Sequence, residues 1–312
     1  MTVIVLNAML KPLIEPHLPA WADARWYATK EEAMALAPEA EIGWFDMHSK
    51  ADMVRVFELA TRLKWLNSVY AGVEAFPLDL LRARGVVLTN GAGINAVPIA
   101  EYVVMLMLAY SKNYREVVRA QERREWLKDS PGKRELFGSS ALILGYGAIG
   151  QEVEKRLAGF GMEVSKVRRS PGPGVLGPDE WRGRLGAFDW IVIAVPATPE
   201  TEGMIGAAEL AAMKGDAVLV NVARGTVIDQ DALTAALNAG RIGGALLDVT
   251  TPEPLPQDHP LWALDNAQIT MHLSGRAQDR MMQRAAVRFV DNLGRYGRGE
   301  QLEPMVDYAA GY

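Results

Sequence analysis

No cysteine occurs in the 312 residues, which excludes disulfides, thiolate nucleophiles and cysteine-ligated zinc and leaves the redox compartment unconstrained. Histidine is scarce, at four residues, and no pair stands at a helix-face spacing such as H-x-x-x-H, so no metal is expected. Positive charge is not in excess: 33 Lys and Arg against 38 Asp and Glu leave a formal net charge of −5, a balance that repels polyanions and makes nucleic acid an unexpected partner. Long hydrophobic runs are missing as well. The most apolar stretch, residues 97–110, is interrupted by Pro98 and Glu101 and falls short of the roughly 20 residues that a membrane span needs. The first seven residues carry no basic leader and too short an apolar run for a signal peptide, so a cytoplasmic location and no membrane partner are expected.

What the chain does contain is apolar material for two cores, because 49% of its residues are hydrophobic and its length is about twice the roughly 150-residue domain prior. Short apolar runs alternate with helical patterns at 3–6, 42–45, 66–69, 86–88, 141–144, 164–167, 191–195, 217–221, 244–247 and 267–270. Uniformly apolar runs are the mark of parallel strands buried on both faces, and ten are too many for one compact sheet. An α/β architecture with two doubly wound parallel sheets follows. Residues 113–137 stand apart as a charged stretch carrying an isolated Trp126, and two readings stay open: a solvated surface helix with its loop, or an arm for dimerisation.

Gly145-Tyr146-Gly147-Ala148-Ile149-Gly150 joins an apolar run to a helical pattern, giving G-x-G-x-x-G in the context of strand, turn and helix. Gly145 permits the tight turn, Gly147 lets a pyrophosphate approach the main chain, Gly150 lets helix pack on strand, and the helix start offers unpaired N–H groups. About 20 residues on, where an NAD-binding chain places a carboxylate for the ribose, stand Arg168, Arg169 and Ser170. Guanidinium forks clasp a 2′-phosphate that a carboxylate would repel, so NADP is favoured over NAD. The alternative is two arginines on a solvated loop beside bound NAD.

Further motifs follow in order: residues 189–201 with Val195, Pro196 and Thr201; 220–229 with Val222, Ala223 and Arg224; 244–255 with Asp248 and Glu253; and 270–275 with His272. Upstream stand 70–74 and 90–101. In this order and spacing the chain resembles the D-2-hydroxyacid dehydrogenase family, which includes glyoxylate/hydroxypyruvate reductases, D-lactate dehydrogenases and phosphoglycerate dehydrogenases. The resemblance implies two Rossmann-like domains with the cofactor domain inserted into the substrate domain. The expected boundaries are 1–98 and 283–312 for the substrate domain and 99–282 for the NAD(P) domain, with the chemistry in the cleft between them. It also implies cofactor contacts from Tyr146, Ala148, Ile149, Val195, Pro196, Thr201, Val222, Ala223 and His272, with Asp248 holding the nicotinamide carboxamide. Substrate contacts are implied for Ala71, Gly72, Val73, Asn95, Arg224 and His272, the amides of Gly72 and Val73 receiving the carboxylate.

Elementary chemistry agrees with the catalytic set Arg224, Glu253 and His272. Reducing a 2-oxo acid requires a cation for the carboxylate, a proton donor for the carbonyl oxygen and a hydride source. Arg224 directly follows a buried strand, at the edge where doubly wound folds bind ligands. His272 is the acid/base, and a carboxylate such as Glu253 on its ring favours the imidazolium that donates the proton. The family's formate dehydrogenases carry an amide in place of that carboxylate, so Glu253 argues against formate. Two positions depart from the family pattern: Met271 stands where proline commonly precedes the histidine, and Arg276 stands where a small residue follows Ser-Gly. Arg276 either binds a second anionic group or pairs with a nearby carboxylate. Trp44, Phe45, Met47, Tyr70, Trp262 and Met271 either line an apolar pocket or belong to the core, and His48 is a further pocket candidate.

The expected function is therefore NADPH-favouring reduction of a small 2-oxo acid to its D-2-hydroxy acid, by an enzyme that forms a homodimer. Two alternatives remain: the same fold acting on phosphite or a phosphorylated hydroxy acid, and a dinucleotide-sensing corepressor or scaffold.

Overall fold

The computed structural model describes residues 1–47, 49–73, 75–276 and 280–309; His48 and Glu74 lie outside them. Two compact units divide the chain, residues 1–95 with 277–312 and residues 96–276, so the second interrupts the first in sequence. Each is a parallel α/β sheet, Rossmann-like in its winding.

The first unit holds β1 (Thr2–Asn7), β2 (Ala22–Tyr27), β3 (Ile42–Trp44), β4 (Trp65–Asn67) and β5 (Val87–Thr89), ordered β2-β1-β3-β4-β5 with every pairing parallel. Side chains alternate across the sheet: Val5 joins one core cluster with Phe45 and Leu66, while Ile4 and Leu6 join the other with Trp44 and Trp65. The long helix Met281–Arg298 returns to this unit and buries Ala285, Ala286, Phe289 and Leu293 along one stripe. Phe289 lies 5.4 Å from Trp44 and 4.9 Å from Trp65 between ring centroids, so the C-terminal helix is anchored by aromatic packing.

The second unit contains β6 (Ser140–Leu144), β7 (Glu163–Val167), β8 (Trp190–Ile193), β9 (Val218–Asn221), β10 (Gly244–Leu247) and β11 (Ala267–Ile269), ordered β11-β10-β9-β8-β6-β7 and wholly parallel. Leu142 and Leu144 face one core, Ala141 and Ile143 the other. The chain direction reverses across the sheet between β6 and β8, the switch point at which open α/β sheets bind ligands beyond their carboxyl ends.

Ten of the eleven strands coincide with the apolar runs, and β2 is the addition. Its sequence Ala-Asp-Ala-Arg-Trp-Tyr is an edge strand with residues 22–26 only partly buried, so its polar positions hid it from a search for uniform apolarity. Residues 114–122 form a helix, and Trp126 beyond it is 94% exposed. Among the described residues no helix is long and apolar enough to cross a membrane.

Candidate active site

Parallel pairing places the carboxyl ends of all six strands of the second unit along one edge, and every cofactor or catalytic residue expected in that unit stands there. Gly145 to Gly150 follow β6, Arg168 to Ser170 follow β7, Val195 to Thr201 follow β8, and Val222 to Arg224 follow β9; Asp248 and Glu253 follow β10, and His272 follows β11.

The turn after β6 is shaped by two steric demands and one open space. Gly145 has φ of +99°, and a Cβ there would lie 2.5 Å from the Ala194 carbonyl, so the strand end abuts β8 at the switch point. A Cβ on Gly150 would meet the Gly145 oxygen at 2.3 Å, which requires glycine for helix-to-strand packing. Around Gly147 a Cβ would meet nothing within 4 Å, and Gly147 and Ala148 are exposed at the start of the helix Ala148–Gly159, which no side chain caps. Open space over uncapped helical N–H groups fits a dinucleotide pyrophosphate. Tyr146 is tied down beside it: its hydroxyl donates to Glu154, Lys166 Nζ also donates to Glu154, and that ammonium lies 5.0 Å from the Tyr146 ring centroid. Burial alone would raise the Glu154 carboxyl, but its bonds from Lys166 and Tyr146 hold it below the usual carboxylate value.

Arg168, Arg169 and Ser170 are exposed after β7, and the Arg169 charge is among the causes that lower the Glu200 carboxyl, after its bonds from Thr198 and its own amide. In the loop after β8, the Thr201 hydroxyl donates to the Pro196 carbonyl at 2.7 Å and accepts from the Thr198 amide at 2.9 Å, which closes the turn behind Val195. After β9, Asn221 acts as a brace: its side chain accepts from the Ala223 amide and donates to the Arg224 carbonyl, both at 3.0 Å. Val222 and Ala223 are buried, and the half-buried Arg224 directs Nη1 to the Ala223 carbonyl at 2.8 Å. A Cβ on Gly225 would strike the Thr250 oxygen at 2.1 Å, so the Arg224 loop is pressed against the loop that carries Glu253.

His272 Nδ1 lies 2.8 Å from Glu253 Oε2, and Oε1 of that carboxylate accepts from the Thr250 amide at 3.2 Å. Both Met271 and His272 adopt left-handed backbone, at φ of 54° and 57°, a conformation that non-glycine residues hold only when their surroundings fix it. Asp248 does the fixing. Buried to 2% exposure, it accepts through Oδ1 from Thr270 Oγ1 at 2.8 Å and from the Leu273 amide at 2.9 Å, through Oδ2 from the Ser274 hydroxyl, and through both oxygens from the Ser274 amide. Its backbone carbonyl takes the His272 amide. In the structure the Asp248 carboxylate is the staple of residues 270–274.

The substrate candidates of the first unit follow the ends of β4 and β5. Asn90 Nδ2 donates to the Ala71 carbonyl at 2.8 Å, Val73 is buried, and the amides of Gly72 and Val73 donate to no described residue. Asn95 has a buried amide oxygen with no partner among the described residues, a group that demands a donor. Trp44 and Phe45 belong to the core, whereas Tyr70, Trp262 and Met271 are exposed. His259 is structural, its Nδ1 accepting from the Leu261 amide at 3.2 Å. Sequence reasoning passed over Asp46, Glu154 and Lys166. Asp46 carried a signal, since it stands just past a buried parallel strand, where α/β folds place ligand-facing groups.

A family model described as D-isomer specific 2-hydroxyacid dehydrogenase, NAD binding domain, matches residues 104–274. Glyoxylate/hydroxypyruvate reductase B of Pectobacterium atrosepticum is 35% identical over 246 residues, covering 75% of this chain and 76% of that protein. A solved D-isomer specific 2-hydroxyacid dehydrogenase family protein from Aeromonas salmonicida superposes with a TM-score of 0.86 at 32% identity, over 98% of this chain and 99% of the other. The enzyme of the same description from Xanthobacter autotrophicus, solved in complex with NADPH and MES, gives 0.79 at 28% identity, over 100% and 99%. The chain spans about half the length of the curated D-3-phosphoglycerate dehydrogenases that it also matches. With the dinucleotide turn, the braced arginine and the paired histidine on one sheet edge, these likenesses establish that the chain belongs to the D-isomer specific 2-hydroxyacid dehydrogenase family.

Proposed function

We propose that this protein reduces a small 2-oxo acid to its D-2-hydroxy acid and prefers NADPH. The observation that carries the reading is the His272–Glu253 pair at 2.8 Å, held on a left-handed loop by Asp248 at the sheet edge shared with Gly147 and Arg224. A bound nicotinamide dinucleotide supplies the hydride to C2. Glu253 takes Nδ1–H of His272, so the Nε2 proton of the imidazolium is the one aimed at substrate. His272 gives that proton to the C2 oxygen as it becomes an alkoxide, and the ring returns neutral with Nδ1 still on Glu253. Arg224 pairs with the substrate carboxylate and polarises the carbonyl, stabilising charge that grows in the transition state. The amides of Gly72 and Val73 donate to the substrate carboxylate, and the Asn95 oxygen, which has no partner among the described residues, accepts from a donor on the substrate.

Preference for NADPH rests on Arg168, Arg169 and Ser170, three exposed donors at the end of β7 with no carboxylate at the ribose position of the sequence. The complex of the Xanthobacter relative with NADPH supports the same assignment. A homodimer is the proposed assembly, supported by the exposed Tyr114, Trp126 and Phe137 of the 113–137 segment, and sedimentation at micromolar concentration tests it.

The deciding experiment follows loss of reduced-nicotinamide absorbance with NADPH and NADH at matched concentration, against glyoxylate, hydroxypyruvate, pyruvate and phenylpyruvate. Faster NADPH oxidation with any of them supports the reading, and an NADH preference removes the arginine role while keeping the enzyme. Dinucleotide binding without turnover on any 2-oxo acid overturns the reading and turns attention to phosphite, to a phosphorylated hydroxy acid, or to a dinucleotide-sensing scaffold.

A further inference from the structure

We propose that Asp46 is a positioning residue for the substrate carboxylate, acting through Ser68 and Val69 to hold residues 68–73 in the shape that presents the Gly72 and Val73 amides. This rests on the assignment of those amides to the substrate in the proposed function.

Asp46 stands two residues beyond β3, at the carboxyl edge of the first unit's sheet, beside the loop that leaves β4. Its carboxylate gathers three donors, two from that loop and one from its own strand end. Oδ1 accepts from Ser68 Oγ at 2.7 Å, and Oδ2 accepts from the Val69 amide and from Trp44 Nε1, each at 2.6 Å. Ser68 is 1% exposed, and its hydroxyl, while donating to Asp46, accepts from the Tyr70 amide at 3.0 Å. The resulting chain, from the Tyr70 amide to Ser68 to Asp46, is one in which each bond polarises the next.

The other contacts of the loop point the same way. Tyr70 donates its hydroxyl to the Met47 carbonyl at 3.3 Å and takes the Gly91 amide on its own carbonyl at 2.8 Å. Gly91 approaches so closely that a Cβ there would lie 1.8 Å from the Val69 oxygen. Residues 68–71 are thus pinned from two sides, and the next two residues carry the amides that donate to no described residue. A carboxylate is an expensive choice for this task. Burial pushes the Asp46 carboxyl up to about 6 even though three donors favour its charged form, and its charge is a cause, after burial, of the raised phenols of Tyr27 and Tyr70. An apolar residue would close the end of β3 at lower cost, so the polar side chain is explained by the three donors that it gathers at one point.

Three variants test the role: Asp46→Ala, Asp46→Asn and Ser68→Ala. Asp46→Ala and Ser68→Ala are expected to raise KM for the 2-oxo acid about tenfold, with kcat and the dinucleotide Kd within about twofold. Asp46→Asn recovers most of the loss, because its amide oxygen accepts from Val69 and Trp44 while its NH2 group donates to Ser68. Hydrogen exchange of peptides covering 68–73 is read in parallel and should quicken about tenfold in the first two variants while the rest of the chain is unchanged. Unaltered KM overturns the proposal, as does loss spread equally over kcat and dinucleotide affinity, which marks general damage. If Asp46→Ala fails to fold, Ser68→Ala decides between these outcomes. Should the wild-type protein turn over no 2-oxo acid, the proposed function fails by itself and exchange then decides: quickening confined to 68–73 upholds the positioning of the loop, and unchanged exchange overturns it.

Discussion

The space above Gly147 offers the sharpest separation of binding from folding in this chain. A Cβ placed there meets no atom within 4 Å, and the residue is extended at φ of −93°, so alanine introduces neither clash nor strain. Alanine caps a helix somewhat less well than glycine but has less freedom to lose on folding, and the two effects leave Gly147→Ala within about 0.5 kcal/mol of wild type. In a unit of this size that is a shift of about 2 °C or less in Tm. The dinucleotide phosphates are affected differently, because a methyl group holds them away from the N–H groups that open the helix Ala148–Gly159. Loss of one charge-assisted hydrogen bond, about 1.5 to 3 kcal/mol, weakens Kd by about tenfold to more than a hundredfold. Gly150→Ala is the control, since its Cβ would lie 2.3 Å from the Gly145 oxygen and 3.2 Å from Ile143 Cγ2, and overpacking of this kind costs about 1 to 3 kcal/mol of stability. Calorimetric titration with NADPH and thermal melts without ligand read the two quantities separately. If Gly147→Ala bound NADPH as tightly as wild type, or melted as early as Gly150→Ala, the assignment of that space to pyrophosphate would be refuted.

Replacing Arg168 and Arg169 together by serine should raise KM for NADPH about tenfold or more and leave NADH within about threefold; equal effects on both coenzymes would remove the 2′-phosphate role. His272→Asn should lower kcat by about a hundredfold or more at unchanged dinucleotide affinity, as removal of a general acid requires, whereas Arg224→Lys should damage KM and kcat together because lysine lacks the planar fork. Asp248→Asn leaves at least one donor of the 270–274 loop facing an NH2 group, so kcat should fall about tenfold and exchange at 270–274 should quicken, with dinucleotide Kd changing less than threefold; a large Kd loss with an unaltered loop would instead mean direct contact with the cofactor. Burial raises the Asp46 carboxyl from 3.8 to about 6, so the folded chain holds that proton more tightly than the unfolded one and the group's contribution to stability is lost as pH rises from about 4 through 6. Denaturant melts of wild type against Asp46→Asn at pH 4.5 and 7 should differ in pH dependence by at most about 3 kcal/mol, and parallel curves would show a carboxyl with an ordinary affinity for protons.

Legibility of the fold follows burial. Strands enclosed on both faces, such as β8 and β9, are uniformly apolar and announce themselves. At the sheet edge β2 carries Asp23 and Arg25, ion-paired to each other with Arg25 also reaching Glu39, and such a strand reads as surface until its neighbour is known. Register at the strand ends was hidden for a related reason. The apolar run 66–69 suggests a strand to Val69, yet β4 ends at Asn67: the Ser68 amide still donates to the Thr89 carbonyl, but the Val69 amide turns onto Asp46 instead of continuing the ladder. A hydrophobic pattern records burial; it does not record which acceptor a backbone amide has chosen.

The candidate site divides along the same line. Gly145 to Gly150, Arg224, Glu253 and His272 could be named from sequence because chemistry requires particular residue types and the fold places them after strands. The bonds that aim them come from residues far apart in sequence, such as Asp248 to Ser274, and leave no local pattern. Met271 shows how the two kinds of information meet. In sequence it is a departure from proline, open to interpretation as a change in specificity. In the structure its φ is 54°, a value that a pyrrolidine ring locked near −65° cannot take. The departure and the left-handed step before His272 are therefore one feature: with methionine at 271, the chain can turn so that the His272 amide meets the Asp248 carbonyl while the Leu273 and Ser274 amides meet the carboxylate. The backbone route to the histidine is thus a place where this residue acts.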